Sequence, residues 1–401
     1  MQLRYNYRLY PTTGQQVALA RAFGCARVVF NDGLCAREQA HRAGQPYLTD
    51  ADLSRRLTLA KRSPERAWLS EVSSVVLQQA LADLNTAYRN YFASMSGGRR
   101  GPKVAVPRFR SRRDHRQAIR FTANARFRVL PSGKLRLPKI GDVPVRWSRR
   151  LPSRPSSVTV IKDSAGRYFA SFVVHVAYSA LPQTDPVVGI DLGLKHFAVL
   201  SNGRKITAPQ FLRRAEKKLK RRQRELSRKQ KGSKNRERAR IQVARAHARV
   251  TDARRNFHHQ LSTALIRENQ AVAVEDLAVN GLTRTWLAKS VHDAGWSAFV
   301  TMLDYKARLY GREFHRIGRF APTSQVCSEC GTNDGAKPLH VRAWRCGGCG
   351  AWLDRDINAA VNVARAAGLA VTACEAQVRP GLALAPRGEA GTHPKSPWEV
   401  A

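Results

Sequence analysis

The sequence predicts an α/β protein of more than one domain, with a β-rich N-terminal half followed by a domain in which strands alternate with helices. Three observations carry this prediction. The chain has 401 residues, which is more than one hydrophobic core normally organises. Short strand patterns dominate residues 107–178. Beyond a Pro-containing stretch at residues 181–186, apolar strand patterns alternate with long helical ones.

The first half, residues 1–180, is expected to form a small β-barrel interleaved with a helical insert. It opens with a strand pattern at residues 3–10, and helical periodicity follows at residues 15–23. Further strand patterns lie at residues 118–121, 134–137, 157–161 and 168–174. Residues 181–186 are the predicted linker to the second domain.

The second domain, residues 187–367, begins with an apolar strand pattern that ends in Asp191. A hairpin pattern follows, and a second apolar strand near residue 271 again ends in acids, Glu275 and Asp276. Because side chains alternate along a strand, only one of these two acids can point into a shared site. A third strand is expected at residues 313–317. A strand that ends in an acid and then continues as a hairpin is typical of the start of the ribonuclease H-like fold.

A third acid comes from a predicted helix at residues 354–364, which begins with Asp354 and Asp356. Residues two apart on a helix point about 200° apart, so only one of the two can line a site. Asp354 is well placed as the N-cap. Three carboxylates from two strand ends and one helix start suit a phosphodiesterase that uses two Mg²⁺ ions. We therefore predict Asp191, Glu275 and Asp356 as catalytic Mg²⁺ ligands, the alternative being solvated turn and cap residues.

Two Cys-x-x-Cys pairs, Cys327 with Cys330 and Cys346 with Cys349, predict a structural zinc site. Each pair can occupy one edge of a tetrahedron. Two disulfides are the alternative, but no export signal is apparent and we expect a cytoplasmic protein, where thiols stay reduced. The three other cysteines, Cys25, Cys35 and Cys374, are expected to be ordinary thiols.

The charge predicts a nucleic-acid partner. Lys and Arg number 70 against 29 Asp and Glu, a formal net charge of +41, and such a chain needs a polyanion. No apolar run of about 18 residues could span a bilayer, so no membrane partner is expected. Residues 211–268 are predicted to be a basic helical hairpin that follows phosphates, although a charge run can also be a solvated surface. The predicted nucleic-acid contacts are Arg99, Arg100, Arg112, Arg113, Arg213, Arg214, Lys217, Lys218, Lys220, Arg221, Arg222 and Arg224.

The chain resembles the TnpB family of RNA-guided nucleases carried by bacterial insertion sequences. The matching segments are residues 7–12, 23–27, 108–111, 287–296 and 322–327. The resemblance implies a wedge-like barrel with a helical recognition region and then a RuvC-like nuclease domain with a zinc-finger insert at residues 322–353. It places the three nuclease acids on Asp191, Glu275 and Asp356 and the zinc ligands on the four cysteines. Residues 368–401 are predicted to be a mobile tail.

The same resemblance implies Mg²⁺-dependent cleavage of double-stranded DNA beside a short flanking motif, directed by a guide RNA made from the element's own transcript. Two alternatives remain open. One is a transposase that joins DNA ends, since such enzymes share the fold and the three acids. The other is an RNA-guided DNA-binding regulator without cleavage. The sequence leaves open whether the protein is a monomer or a homodimer.

Overall fold

The structure of the protein, a computed structural model, describes residues 1–338 and 340–369. It divides into two compact units. The first comprises Met1–Leu181, Gln210–Gln260 and Arg308–Gly311, and the second comprises Pro182–Pro209, Leu261–Ala307 and the described residues from 312 to 369. The break after Leu181 lies at the predicted linker. The sequence predicts the helical hairpin as part of the second domain, whereas its contacts up to Gln260 group it with the first unit. The predicted tail lies, from residue 370 onward, outside the described residues.

The first unit combines long helices with mostly antiparallel strands. Its N-terminal helices are α1 (Thr13–Arg42), α2 (Asp50–Ala60) and α3 (Ser74–Met95). Its strands are β1 (Gln2–Leu9), β2 (Gln117–Thr122), β3 (Arg128–Val129), β4 (Leu135–Leu137), β5 (Gly141–Val143), β6 (Val145–Arg146), β7 (Ser157–Lys162) and β8 (Tyr168–His175). Every strand predicted in this half is present.

The strands of the first unit form two sheets, in the orders β2-β7-β8-β1-β6 and β3-β4-β5. One apolar core joins the inward side chains of the larger sheet, among them Tyr7, Phe121 and Phe172, to those of the helices, such as Leu19 and Leu77. Among the described residues both sheets are open ladders. The predicted closure into a barrel therefore stays a prediction.

Two helices form the basic hairpin, and all of the first helix and the second helix up to Gln260 belong to the first unit. They are α4 (Phe211–Ser227) and α5 (Lys234–Glu268), and the turn between them contains Gly232 in the left-handed region. Leu219 of α4 is buried against Ala246 and Val250 of α5. This narrow apolar seam holds the helices together and leaves the basic side chains of α4 on the opposite, exposed side.

The second unit is built on a mixed sheet. Its strands are β9 (Val187–Asp191), β10 (His196–Leu200), β11 (Lys205–Thr207), β12 (Ala271–Glu275), β13 (Glu313–Ile317), β14 (Ala343–Arg345) and β15 (Trp352–Asp354). Its helices are α6 (Val279–Leu282), α7 (Ala288–Ala294), α8 (Trp296–Tyr310), which runs on into the first unit, and α9 (Arg355–Ala366). The sheet order is β11-β10-β9-β12-β13, with β9, β12 and β13 parallel and β10 antiparallel to β9.

Helix α9 packs directly on strand β9 at Gly189. A Cβ atom built at Gly189 would lie 2.1 Å from the Ala360 carbonyl oxygen and 2.7 Å from the Ala364 amide nitrogen. Only glycine permits so close an approach of helix and strand backbones. Side chains two apart on a strand share a face, so Asp191 lies on the face that α9 covers.

No helix in the described part of the chain is long and apolar enough to cross a membrane.

Candidate active site and metal centre

Two of the predicted acids lie side by side at one edge of the sheet. The parallel register pairs Val274 with Ile190, so one residue further along both strands Glu275 lies opposite Asp191. Neighbouring strands are about 4.7–4.9 Å apart. The carboxyl ends of parallel strands meet at the same edge, which is why two acids more than eighty residues apart in sequence become neighbours.

The third acid reaches the same place through α9. From Gly189 to Asp191 the strand advances about 6.6 Å, and from Ala360 back to Asp356 the helix advances about 6 Å. Because Ala360 lies over Gly189, these similar distances bring Asp356 to Asp191. The structure therefore brings together all three acids that the sequence predicts.

The electrostatics of Asp191 agree with this arrangement. Burial of its carboxyl, together with the negative charges of Glu275 and Asp356, raises the pKa of Asp191 to about 7. Arg355 and Arg342 act in the opposite direction. A carboxyl whose ionised form is disfavoured by two like charges is typical of a site that needs a cation.

The contacts of Asp354 and Asp356 show which of these two acids belongs to the site. The Asp354 side chain accepts hydrogen bonds from the backbone N–H groups of Asp356 and Ile357, both at 3.1 Å, and so caps α9 as predicted. Its second oxygen lies 2.5 Å from Lys205 Nζ. Asp356 makes a longer ion pair, 3.4 Å to Arg342. Since Asp354 is engaged by the cap and a lysine, Asp356 is the acid left to face Asp191.

Asp276 points away from this group and pairs with arginines instead. Arg319 Nη2 lies 2.9 Å from its carboxylate, and Arg316 Nη1 lies 3.9 Å away. Glu275 is therefore the acid of this pair that belongs to the cluster, as the alternation of strand side chains requires.

Three further residues, which are not among the predicted site residues, hold the acids in place. The Thr323 hydroxyl donates to Glu275 Oε1 at 2.5 Å. The side-chain amides of Asn358 and Asn362, one helical turn apart on α9, both donate to the carbonyl oxygens of Thr323 and Val326, at 2.6–3.2 Å. Residues 323–326 are thus bonded both to Glu275 and to α9, the helix that carries Asp356. Asparagines repeated at i and i+4 on the buried side of α9 were the signal available in the sequence.

The four cysteines form a compact cluster. Their four Sγ atoms all lie within 4.8 Å of one another, close enough to bind one metal ion. The Sγ atoms of Cys327 and Cys349 are 3.8 Å apart, and those of Cys330 and Cys346 are 3.6 Å apart. A tetrahedron with Zn–S bonds of about 2.3 Å has edges of about 3.8 Å. The donor set and its spacing therefore fit zinc.

Local contacts act on the ionisation of these thiols. The backbone N–H groups of Glu329 and Gly348 donate to the Sγ atoms of Cys327 and Cys346, at 3.4 and 3.3 Å. The Thr332 hydroxyl, 3.2 Å from Cys330 Sγ, lowers the pKa of that thiol to about 6. The contacts of Cys330 thus favour its thiolate, the form that binds metal, whereas burial raises the pKa of Cys327 to about 12.

The cysteine cluster is tied to α9. Ser328, next to Cys327, donates its backbone N–H to Asn358 Oδ1 at 2.7 Å. Asn358 is buried, so this bond is shielded from water. A metal site that orders residues 326–328 also orders the helix that carries Asp356.

The predicted nucleic-acid contacts all lie in the first unit. Arg99, Arg100, Arg112 and Arg113 are in exposed loops. The eight predicted residues of α4 are exposed or, for Arg222, half-buried; Lys220 pairs with Glu216 and Arg222 with Glu225. Their geometry suits contact with a polyanion, and their contacts with nucleic acid stay a prediction.

Comparison with known proteins identifies relatives along the whole chain. Three family models match, described as "Probable transposase" over residues 171–285, "Cas12f1-like, TNB domain" over residues 296–363 and "Helix-turn-helix domain" over residues 1–46. A protein of Streptomyces pristinaespiralis, named as a proposed RNA-guided DNA endonuclease, is 45% identical over 380 residues, 94% of this chain and 92% of that protein. A protein of Escherichia coli K12 with the same kind of name is 30% identical, over 95% and 96% of the two chains.

A solved structure shares the fold. The chain aligns with Cas12f1 in its complex with a single-guide RNA and target DNA, with a TM-score of 0.51 and 14% identity, covering 87% of this chain and 82% of that one. The first two family models together contain Asp191, Glu275, Asp356 and the four cysteines. The predicted family resemblance is confirmed.

We expect Cys346→Ser to release the zinc and destabilise the second unit, because a three-thiolate site no longer closes around residues 326–328. The melting temperature of that unit should fall by roughly 5–10 °C, with loss of the zinc equivalent. Differential scanning calorimetry with metal analysis measures both. The control Cys35→Ser, at a thiol outside the cluster, should change neither, and an unchanged melt for Cys346→Ser would contradict the structural role.

The raised pKa of Asp191 makes stability depend on pH. The pKa of Asp191 in the folded protein, about 7, lies above the ordinary value of an aspartate. The contribution of Asp191 to the free energy of unfolding is therefore fully present below about pH 4 and is lost as the pH rises through 7. In Mg²⁺-free buffer, Asp191→Asn should remove this loss, which is on the order of a few kcal/mol between pH 5 and 8.

Urea unfolding at several pH values in this range measures the slope, which is the change in the free energy of unfolding per pH unit. The control Asp354→Asn removes the Lys205 ion pair but keeps an oxygen that can cap α9, so it should lower the free energy of unfolding by at most about 1 kcal/mol and leave its pH dependence in place. Equal slopes for the wild type and Asp191→Asn would be inconsistent with the clustered acids.

Thr323→Val should weaken Mg²⁺ binding because it removes the hydroxyl that orients Glu275 while keeping the side-chain volume. The Mg²⁺ concentration that gives half-maximal thermal stabilisation should rise about 10- to 100-fold. Thr323→Ser keeps the hydroxyl and should restore the wild-type value. If the serine and valine variants respond alike, the hydroxyl does not position Glu275.

Proposed function

The chain belongs to the TnpB family, and on this premise we propose that it is an RNA-guided DNA endonuclease encoded by a transposable element. The observation that carries the proposal is the convergence of Asp191, Glu275 and Asp356 at one edge of the second-unit sheet. A protein that only bound DNA would not need two further carboxylates beside Asp191 that disfavour its ionised form.

The reaction we propose is hydrolysis of DNA phosphodiesters. Two Mg²⁺ ions, when bound to Asp191, Glu275 and Asp356, would stabilise the charge on the attacking and leaving oxygens. The Asp191 carboxyl, with its pKa of about 7, must release its proton before it can act as a ligand. Thr323 orients the Glu275 carboxylate, and the Asp354 cap fixes the start of the helix that carries Asp356.

The partners we propose are a guide RNA derived from the element's transcript and a double-stranded DNA target, in the bacterial cytoplasm. Base pairing with the guide would supply sequence specificity, and the protein would hold the backbone of the hybrid. The net charge of +41 and the exposed basic side of α4 support this. In this proposal the first unit forms a wedge-like barrel with a recognition insert, and the second forms a RuvC-like nuclease domain.

Zinc has a structural role in this proposal. The four cysteines leave no open position for a substrate, as is usual for structural zinc sites. Through Ser328, Asn358 and Asn362 the zinc ribbon would hold α9, and through Thr323 it would hold Glu275.

A transposase that joins DNA ends is the second candidate, and the family description "Probable transposase" favours its consideration. Strand-transfer products from donor and target DNA would support it. Cleavage of a guide-matched target without joining would exclude it. Cleavage that requires Mg²⁺ would likewise exclude a regulator that only binds DNA.

The proposed function is tested with the protein expressed beside its native downstream DNA and purified through high salt. We expect one discrete RNA to remain bound, and the complex to cut matched DNA when Mg²⁺ is added. Asp356→Ala should slow cleavage by roughly 100-fold or more. Asp354→Ser, which keeps an oxygen that can cap α9, should cut at close to the wild-type rate.

Heterogeneous RNA, or none, together with no guide-dependent cleavage, would contradict the proposal. If Asp354→Ser were as inactive as Asp356→Ala, the assignment of the third acid would be wrong while the function stood.

A further inference from the structure

Phe320 is 93% exposed, the highest value among the exposed large apolar side chains of the described residues. It lies between strand β13 and the zinc ribbon. We propose that Phe320 is a base-stacking residue that holds a nucleobase of single-stranded DNA beside the phosphodiester to be cut. This inference rests on the proposed function and assigns a substrate contact within that site.

The position of Phe320 follows from the sheet. Ile317, the last residue of β13, pairs with Glu275 in the parallel register. Gly318 therefore leaves the sheet at the edge where the acids lie. The Ala321 backbone N–H donates to the Gly318 carbonyl at 3.2 Å, which closes a tight turn with Phe320 near its tip.

The chain on either side of Phe320 is bonded to the end of strand β12. On one side, Arg319 donates to the Asp276 carboxylate at 2.9 Å and to its backbone carbonyl at 3.2 Å. On the other side, Thr323 donates to Glu275 at 2.5 Å. Three residues of chain span at most about 11 Å, so the Phe320 backbone lies within that distance of Thr323, the residue bonded to Glu275.

A single exposed aromatic is common on protein surfaces and needs no explanation by itself. Phe320 differs because its backbone is fixed at two points while its ring is left in solvent. A fixed backbone lowers the entropy lost when the ring binds a partner.

The chemistry of the site selects a nucleobase as that partner. The acids bind cations that hold a phosphodiester, and a base next to that phosphodiester lies within a few ångströms of the sheet edge. Stacking on an aromatic ring holds any base, because every base has a π-face. Such a contact suits an enzyme whose sequence specificity comes from pairing elsewhere.

The test uses the RNA-bound protein and a matched target. Phe320→Ala and Phe320→Leu should lower the single-turnover cleavage rate by roughly 5- to 150-fold, the effect of one lost base stack. Phe320→Trp, which keeps an aromatic face, should cut at close to the wild-type rate. Tyr178→Ala, at a 70% exposed aromatic of the first unit, is the control and should have no effect.

A spectroscopic readout separates stacking from folding. In the uncleaving Asp191→Ala background, 2-aminopurine placed in turn at each base around the cut site should be quenched at one position, and Phe320→Leu should abolish the quenching. Normal cleavage by Phe320→Leu, or unchanged quenching, would overturn the inference and leave the proposed function intact. No guide-dependent cleavage by the wild type would overturn both.

Discussion

The close packing of α9 on β9 at Gly189 is the contact on which the candidate site depends. Asp191 and Glu275 become neighbours through strand pairing alone, but Asp356 belongs to a helix that must reach the same edge. Without a side chain at position 189, the α9 backbone lies directly on the strand. The helix is thereby fixed over Gly189. Because two residues of strand and four residues of helix cover similar distances, Asp356 then lies beside Asp191.

Bringing three carboxylates together is unfavourable without a cation, and the structure opposes the repulsion with contacts around the acids. The Asp354 cap, Arg342 and the Thr323 hydroxyl each engage the site. The asparagines of α9 bind the segment that leads into the cysteine cluster. Zinc at that cluster and Mg²⁺ at the acids would therefore be linked through one short stretch of backbone, although their ligands are separate.

The sequence predicted the parts of this account that have strong local patterns. The Cys-x-x-Cys pairs, the acids at the ends of apolar strands, and Asp354 as a helix cap are all found in the structure. The sequence did not predict Thr323, Asn358 or Asn362, because their partners lie some 30 to 50 residues away and depend on tertiary packing. Nor did it assign the basic hairpin to the first unit. The apolar residues around Leu219 predict that the two helices pack on each other, but they do not predict which unit the hairpin contacts.

The central claim is that the approach of α9 to β9 assembles the acids, and Gly189→Ala tests it most directly. The measurement is the Mg²⁺-dependent cleavage rate of the RNA-bound variant, with Gly14→Ala as a control because a Cβ there meets nothing within 4 Å. We predict that Gly189→Ala keeps its bound RNA but loses cleavage, while Gly14→Ala keeps both. Cleavage by Gly189→Ala at the wild-type rate would contradict the account.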